Sequence, residues 1–209
     1  MLIAVGSITL GVTASFATPI TFTTSEGTQP ANVGTITLTQ VNDKTVKVLV
    51  DLLNTTYGFM NSGGPHTPFT FNLAGSETGV SITFIQPVGG SYPSGTFSLN
   101  LGGGDATPYG TFGVAIDSSA GNGSGEAYYG DLEFNLTRTN GLLVTDFIAN
   151  AKGYYFGADL TDGRNTGSQA WKTPTNSIPV PDGGATLALF GIACIGISFI
   201  RRNLVCSAP

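Results

Sequence analysis

Two runs of apolar–polar alternation on either side of an Asn-Asp pair constrain the fold of this chain more than any other feature. In Val33-Gly-Thr-Ile-Thr-Leu-Thr-Gln-Val41, Ile36 and Leu38 fall on one face and Thr35, Thr37 and Thr39 on the other. Lys44-Thr-Val-Lys-Val-Leu-Val-Asp-Leu52 alternates again. A period of two marks a half-buried strand, because successive side chains leave opposite faces of the backbone. Two such runs joined by Asn42-Asp43 predict a β-hairpin.

The rest of the body extends this pattern. Strands are expected over Thr67 to Leu73, Val80 to Ile85, Gly95 to Leu101, Gly110 to Asp117, Tyr128 to Thr137, Leu143 to Asn150 and Tyr154 to Asp159. Leu142 to Ala151 reads equally as a short helix, since Leu143, Phe147 and Ile148 fall at helical spacing. The links between these runs, such as Gly102 to Asp105 and Ser118 to Gly125, are rich in glycine, which supplies the backbone freedom of tight turns. Short strands separated by regular turn signals, with no helix–strand alternation, predict an all-β body spanning 18–178. Its architecture is expected to be an antiparallel β-sandwich or jelly-roll-like.

Composition narrows the function classes. Hydrophobic residues reach 41% and the net charge is only −5, which excludes a disordered chain. Charged residues are 10%, against roughly 25% in an ordinary soluble domain. Lys44, Lys47, Arg138, Lys152, Arg164 and Lys172 are dispersed, so no basic patch is set out for nucleic acid. The two cysteines, Cys194 and Cys206, both lie in the C-terminal tail. The body therefore offers neither a disulfide framework nor a cysteine metal site.

Both ends read as processing segments. Residues 1–17 carry an apolar stretch from Leu2 to Val12 and then Ser15-Phe16-Ala17, with small residues where signal peptidase needs them, so cleavage is expected after Ala17. No Lys or Arg precedes Lys44, and the alternative reading is a buried first strand. The tail, 179–209, contains Val180-Pro181-Asp182-Gly183-Gly184-Ala185-Thr186, an uncharged segment over 185–200, and Arg201-Arg202. A helix over that segment would be about 24 Å long, against a hydrocarbon core of roughly 30 Å; a thin bilayer and the flanking glycines accommodate it as a single transmembrane helix. Paired arginines after it favour a cytoplasmic end, leaving the body outside.

This three-part tail resembles the PEP-CTERM family of exosortase sorting signals, in a variant that begins Val-Pro-Asp-Gly. The resemblance covers Val180 to Arg202. It implies cleavage near the motif by a membrane-embedded cysteine protease and transfer of the body to the cell surface or extracellular matrix of a bacterium. Seven residues, Asn203 to Pro209, follow the arginines, and an ordinary C-terminal anchor is the alternative.

Catalytic constellations are sparse. His66 is the one histidine, in a Gly/Pro loop where a solvated residue is expected, and no G-x-S-x-G elbow accompanies it. Without clustered His or Cys, no zinc site is expected. No catalytic residue is assigned, and the body reads as non-enzymatic.

Asp131 and Glu133, two apart on an expected strand, share a face with Tyr128 and Tyr129 within reach, which would suit a carbohydrate-binding surface for exopolysaccharide. The plainer reading is the polar outer face of a sheet. Trp171 would join such a surface or fill the core. No cofactor is required. Structural calcium is conceivable at Asp159 to Asn165 or Asp117 to Glu126, although neither matches the spacing of a calcium loop and Asx turns account for both.

Overall fold

A computed structural model describes residues 18–23, 25–29, 32–52, 56–85 and 97–175. The segments expected to be a signal peptide (1–17), a linker from Asn176 and a sorting motif, with the apolar segment 185–200 and Arg201-Arg202, lie outside the described residues.

The described chain is all-β. Its strands are β1 (Ile20–Phe22), β2 (Ser25–Gly27), β3 (Gly34–Asn42), β4 (Thr45–Leu52), β5 (Gly58–Phe59), β6 (Phe69–Leu73), β7 (Val80–Ile85) and β8 (Phe97–Asn100). They continue with β9 (Gly104–Asp105), β10 (Thr111–Phe112), β11 (Val114–Ser118), β12 (Leu132–Arg138), β13 (Phe147–Ile148), β14 (Phe156–Thr161) and β15 (Thr166–Trp171). One sheet has the order β1-β3-β4-β12-β7; a second runs β2-β15-β14-β6-β11-β8, with β13 also on β6 and β5 also on β14. The pairings between these strands are antiparallel.

The alternation read from the sequence is what closes the two sheets over one core. Ile36, Leu38, Val46, Val48, Val50, Leu132, Phe134 and Leu136 all turn inward from the first sheet and are buried. Phe69, Phe71, Ile116, Phe156 and Leu160 do so from the second. The sheets meet through rings: Phe134 lies 6.3 Å from both Phe69 and Phe71, and Phe22 meets Phe156 edge-on at 4.9 Å. Burying a side chain of this size contributes roughly 1.5–3 kcal/mol, so these inward rows carry the fold. The arrangement is sandwich-like.

Several local expectations shift. The β3–β4 turn is Asp43-Lys44, one residue later than the Asn-Asp link, with Asn42 already paired to Thr45. A register shift between Gln40 and Asn42 absorbs one residue of β3 and moves the turn. The Asn42 side chain accepts the Lys44 amide at 2.9 Å and closes the turn. The segment from Leu142 to Ala151 is neither a full helix nor a full strand. It makes a single 3-10 turn, Val144–Asp146, and then the two-residue β13. The strand expected from Tyr128 begins only at Leu132.

Strand β15 went unread because Thr-Gly-Ser-Gln-Ala-Trp has no apolar alternation. It lies between β14 and β2, so Ser168, Gln169, Ala170 and Trp171 are all buried whichever face they take. The Gln169 side-chain amide donates there to Ser25 Oγ at 3.0 Å. Gly157, opposite Ala170 on β14, is required by close approach: a Cβ there would come within 2.7 Å of Ala106 Cβ and 2.9 Å of the Phe112 ring.

Candidate functional site

Tyr128, Tyr129, Asp131 and Glu133 lie at and just before the start of β12, each with its own surroundings. Tyr128 precedes β12 and exchanges two backbone hydrogen bonds of 2.9 Å with Phe59. Its ring meets Phe97 edge-on at 5.5 Å, and its hydroxyl donates to the Asp131 carbonyl at 3.1 Å. That path passes over Gly130, where a Cβ would lie 2.7 Å from the hydroxyl, so Gly130 is what allows the ring to fold back. Tyr129 is 41% exposed and covers Gly58. Asp131 and Glu133 flank the buried Leu132 and face outward.

Both acids have partners on the adjacent β4. Glu133 forms a 3.0 Å ion pair with Lys47 on the adjacent β4. Partial burial, followed by the neighbouring charge of Asp51, pushes the Asp131 carboxyl above its ordinary range, and Asp51 also hydrogen-bonds to it. The working partner of Asp131 is therefore Asp51, across the sheet.

Trp171 does not reach this surface. It is fully buried at the end of β15 and donates its indole N–H to the Gly34 carbonyl on the facing sheet at 3.2 Å. Of the two readings open for this residue, its position is that of the core. The indole needs a partner when buried, and the carbonyl at the start of β3 supplies it.

A second cluster is internal. Asp159 on β14 is buried, with one carboxylate oxygen unpaired. Burial raises its pKa; hydrogen bonding from Ser62 and the proximity of His66 oppose the rise. His66 is half-buried rather than solvated. Its Nδ1 is enclosed without a partner, and a backbone bridge to Asp105 ties its loop to β9. The lone histidine of a Gly/Pro loop gave no sign of this, since only the tertiary pairing with Asp105 encloses it.

The acidic loops considered for calcium are used by the backbone. Asp162 accepts the Asn165 and Arg164 amides at 2.6 and 2.8 Å, and the Asn165 side chain at 2.9 Å. The backbone bond from Asn165, then its side chain and the Arg164 amide, hold the Asp162 carboxyl down at about 2. Asp159, three residues earlier, points instead into the interior. Asp117 accepts from Asn100 at 2.8 Å. Among the described residues no three of His, Cys, Asp and Glu converge as metal ligands would.

A third cluster lies on the surface and unites residues from four separate stretches. Tyr109 and Tyr154 meet edge-to-face at 5.1 Å, and the Tyr154 hydroxyl donates to Glu26 at 3.1 Å. Lys172 Nζ stands 5.3 Å from the centre of the Tyr154 ring. Lys152 Nζ donates to the Pro108 carbonyl at 2.7 Å. Sequence reading missed this cluster because its members are up to 146 residues apart, from Glu26 to Lys172 (172 − 26), and share no motif.

No family model, curated protein or solved structure matches the chain. Among the described residues no helix is long and apolar enough to cross a membrane.

Proposed function

We propose that the chain is an exported bacterial surface or extracellular-matrix protein, structural or adhesive in action, delivered by an exosortase-type sorting tail. One observation carries the reading: the ordered succession of the Val180 to Gly184 motif, the uncharged segment 185–200 and Arg201-Arg202. The stretch ending in Ala17 supports export at the other end. A charge-poor, cysteine-free, all-β body fits a domain held by its core and sheet hydrogen bonds outside the cytoplasm. Signal peptidase and an exosortase-like membrane protease are the partners this reading requires, with passage through the inner membrane before release.

Mass spectrometry of the mature protein from its native cells tests this directly. The expected termini are Thr18 and a residue within the Val180 to Gly184 motif. Recovery of an intact C-terminus in the membrane fraction would overturn sorting in favour of a plain anchor. Deleting residues 180–209 is expected to remove the protein from the cell surface and matrix, and an unchanged distribution would sink the reading.

A second reading, a carbohydrate-binding module acting on exopolysaccharide, is favoured by the exposure of Tyr129 and Asp131 just before β12.

A further inference from the structure

We propose that the surface cluster around Tyr109 and Tyr154 binds an acidic polysaccharide, with uronate sugars stacked on the tyrosines and their carboxylates held by Lys152 and Lys172. The site is distinct from the Tyr128–Glu133 surface. It depends on the proposed export only for access to such polymers.

The cluster follows from the strand order. β2, β15 and β14 are neighbours, with Glu26 paired to Ala170 and Trp171 paired to Phe156. The Tyr155 amide extends this ladder to the Trp171 carbonyl at 2.9 Å. Tyr154, Lys172 and Glu26 therefore leave the end of the sheet side by side. Tyr109 arrives from the loop joining β9 to β10.

One side chain locks the two tyrosine-bearing loops together. The Asn150 amide donates to the Tyr109 carbonyl at 3.0 Å, while its oxygen accepts the Lys152 and Tyr154 amides at 2.9 and 3.1 Å. The Asn150 backbone amide donates to the Tyr154 carbonyl at 2.8 Å, closing the loop on itself. Both rings are thus positioned before anything binds, which removes much of the ordering cost of recognition.

The chemistry of the groups selects the occupant. Tyrosine offers a broad apolar ring with a polar tip, which suits a half-wet surface contact. The C–H face of a pyranose is a matching partner for such a ring. Lys152 and Lys172 are exposed and stand in no ion pair among the described residues, whereas Lys47 and Arg138 are both paired with carboxylates. Two unneutralised ammonium groups beside a ring pair favour a sugar that carries a negative charge, and Glu26 can accept a hydroxyl. The net charge of −5 makes this local pair of cations necessary for a polyanion to settle here.

The test uses the full chain in non-ionic detergent and affinity electrophoresis through gels containing sodium alginate, dextran or poly-L-glutamate. Retardation by alginate alone is expected, weakening as salt is raised. The double variant Lys152→Gln/Lys172→Gln is expected to lose about tenfold in alginate affinity, equivalent to about 1.4 kcal/mol. Tyr154→Leu is expected to lose a similar factor, and Lys44→Gln, at the hairpin turn, none. Circular dichroism of the lysine variant should match the parent, since neither ammonium is buried.

Absence of alginate retardation overturns the proposal, as does retention of full affinity by the lysine variant. Equal retardation by dextran overturns the role of the lysines, and equal retardation by poly-L-glutamate overturns stacking. None of these results bears on the processing of the tail, which the termini of the mature protein decide separately.

Discussion

Asp159 is the one buried carboxylate among the described residues, at 2% exposure, and it decides part of the pH response. Burial raises its pKa in the folded protein above the ordinary value of 3.8, so the folded state holds its proton more tightly than the unfolded chain does. Stability from this group is greatest below the unfolded pKa and falls as pH rises through the folded one. Asp159→Asn keeps an oxygen for Ser62 and removes the buried charge. It is expected to flatten the fall of stability that begins above the ordinary carboxylate range and to raise stability at neutral pH. Urea titrations at several pH values check this; a variant less stable at pH 7, with the parent's pH slope, would show that the charge is itself needed. Sequence alone placed Asp159 in a candidate calcium loop with Asp162. The two diverge because Asp159 lies within β14, which is buried along its whole length, and Asp162 lies in the turn that follows it.

At the scale of elements, Arg138 joins what the chain order separates. It ends β12 in the first sheet, yet its guanidinium donates to the Ala74 carbonyl just past β6, to the Gly141 carbonyl, and to Asp146 at 2.7, 2.6 and 2.5 Å. Asp146 in turn accepts the Leu143 amide at 2.9 Å and caps the 3-10 turn. Gln40 works beside it, donating to the Leu142 carbonyl at 2.8 Å and accepting the Val144 amide at 2.9 Å. Together they explain why 142–148 forms a pinned turn rather than a helix or an extended strand. Lysine keeps the charge but lacks the planar fork. Arg138→Lys is therefore expected to cost about 2 kcal/mol, as the Ala74 and Gly141 carbonyls lose their donors. Denaturant unfolding measures this, and a loss below about 0.5 kcal/mol would show the fork to be dispensable. The hairpin and β7 were legible because their alternation is local. The clamp was not, since nothing near Arg138 in sequence names Ala74 as its partner.

Over the whole molecule, the two sheets share one core, so they should unfold together. Trp171, the single tryptophan, reports from the second sheet while hydrogen-bonded to the first. Its fluorescence and the far-UV circular dichroism are expected to give coincident urea transitions. Trp171→Phe shrinks the side chain and strips Gly34 of its donor, and should lower stability by about 2–3 kcal/mol as read by circular dichroism. Separate transitions would mean that the sheets hold independently. The candidate sites divide in the same way. Tyr128, Tyr129, Asp131 and Glu133 lie within six residues and could be found by reading along the chain, whereas Glu26, Tyr109, Tyr154 and Lys172 meet only because β2, β15 and β14 are neighbours. The amino-acid sequence by itself determined the strand character of the body and the inward rows of β3, β4 and β12, because each depends on spacing along the backbone. Tertiary structure alone decided that Trp171 is core, that Asp159 is buried, and which tyrosines share a surface. These depend on which strands become neighbours, and that is set by the burial of the whole core rather than by any one segment.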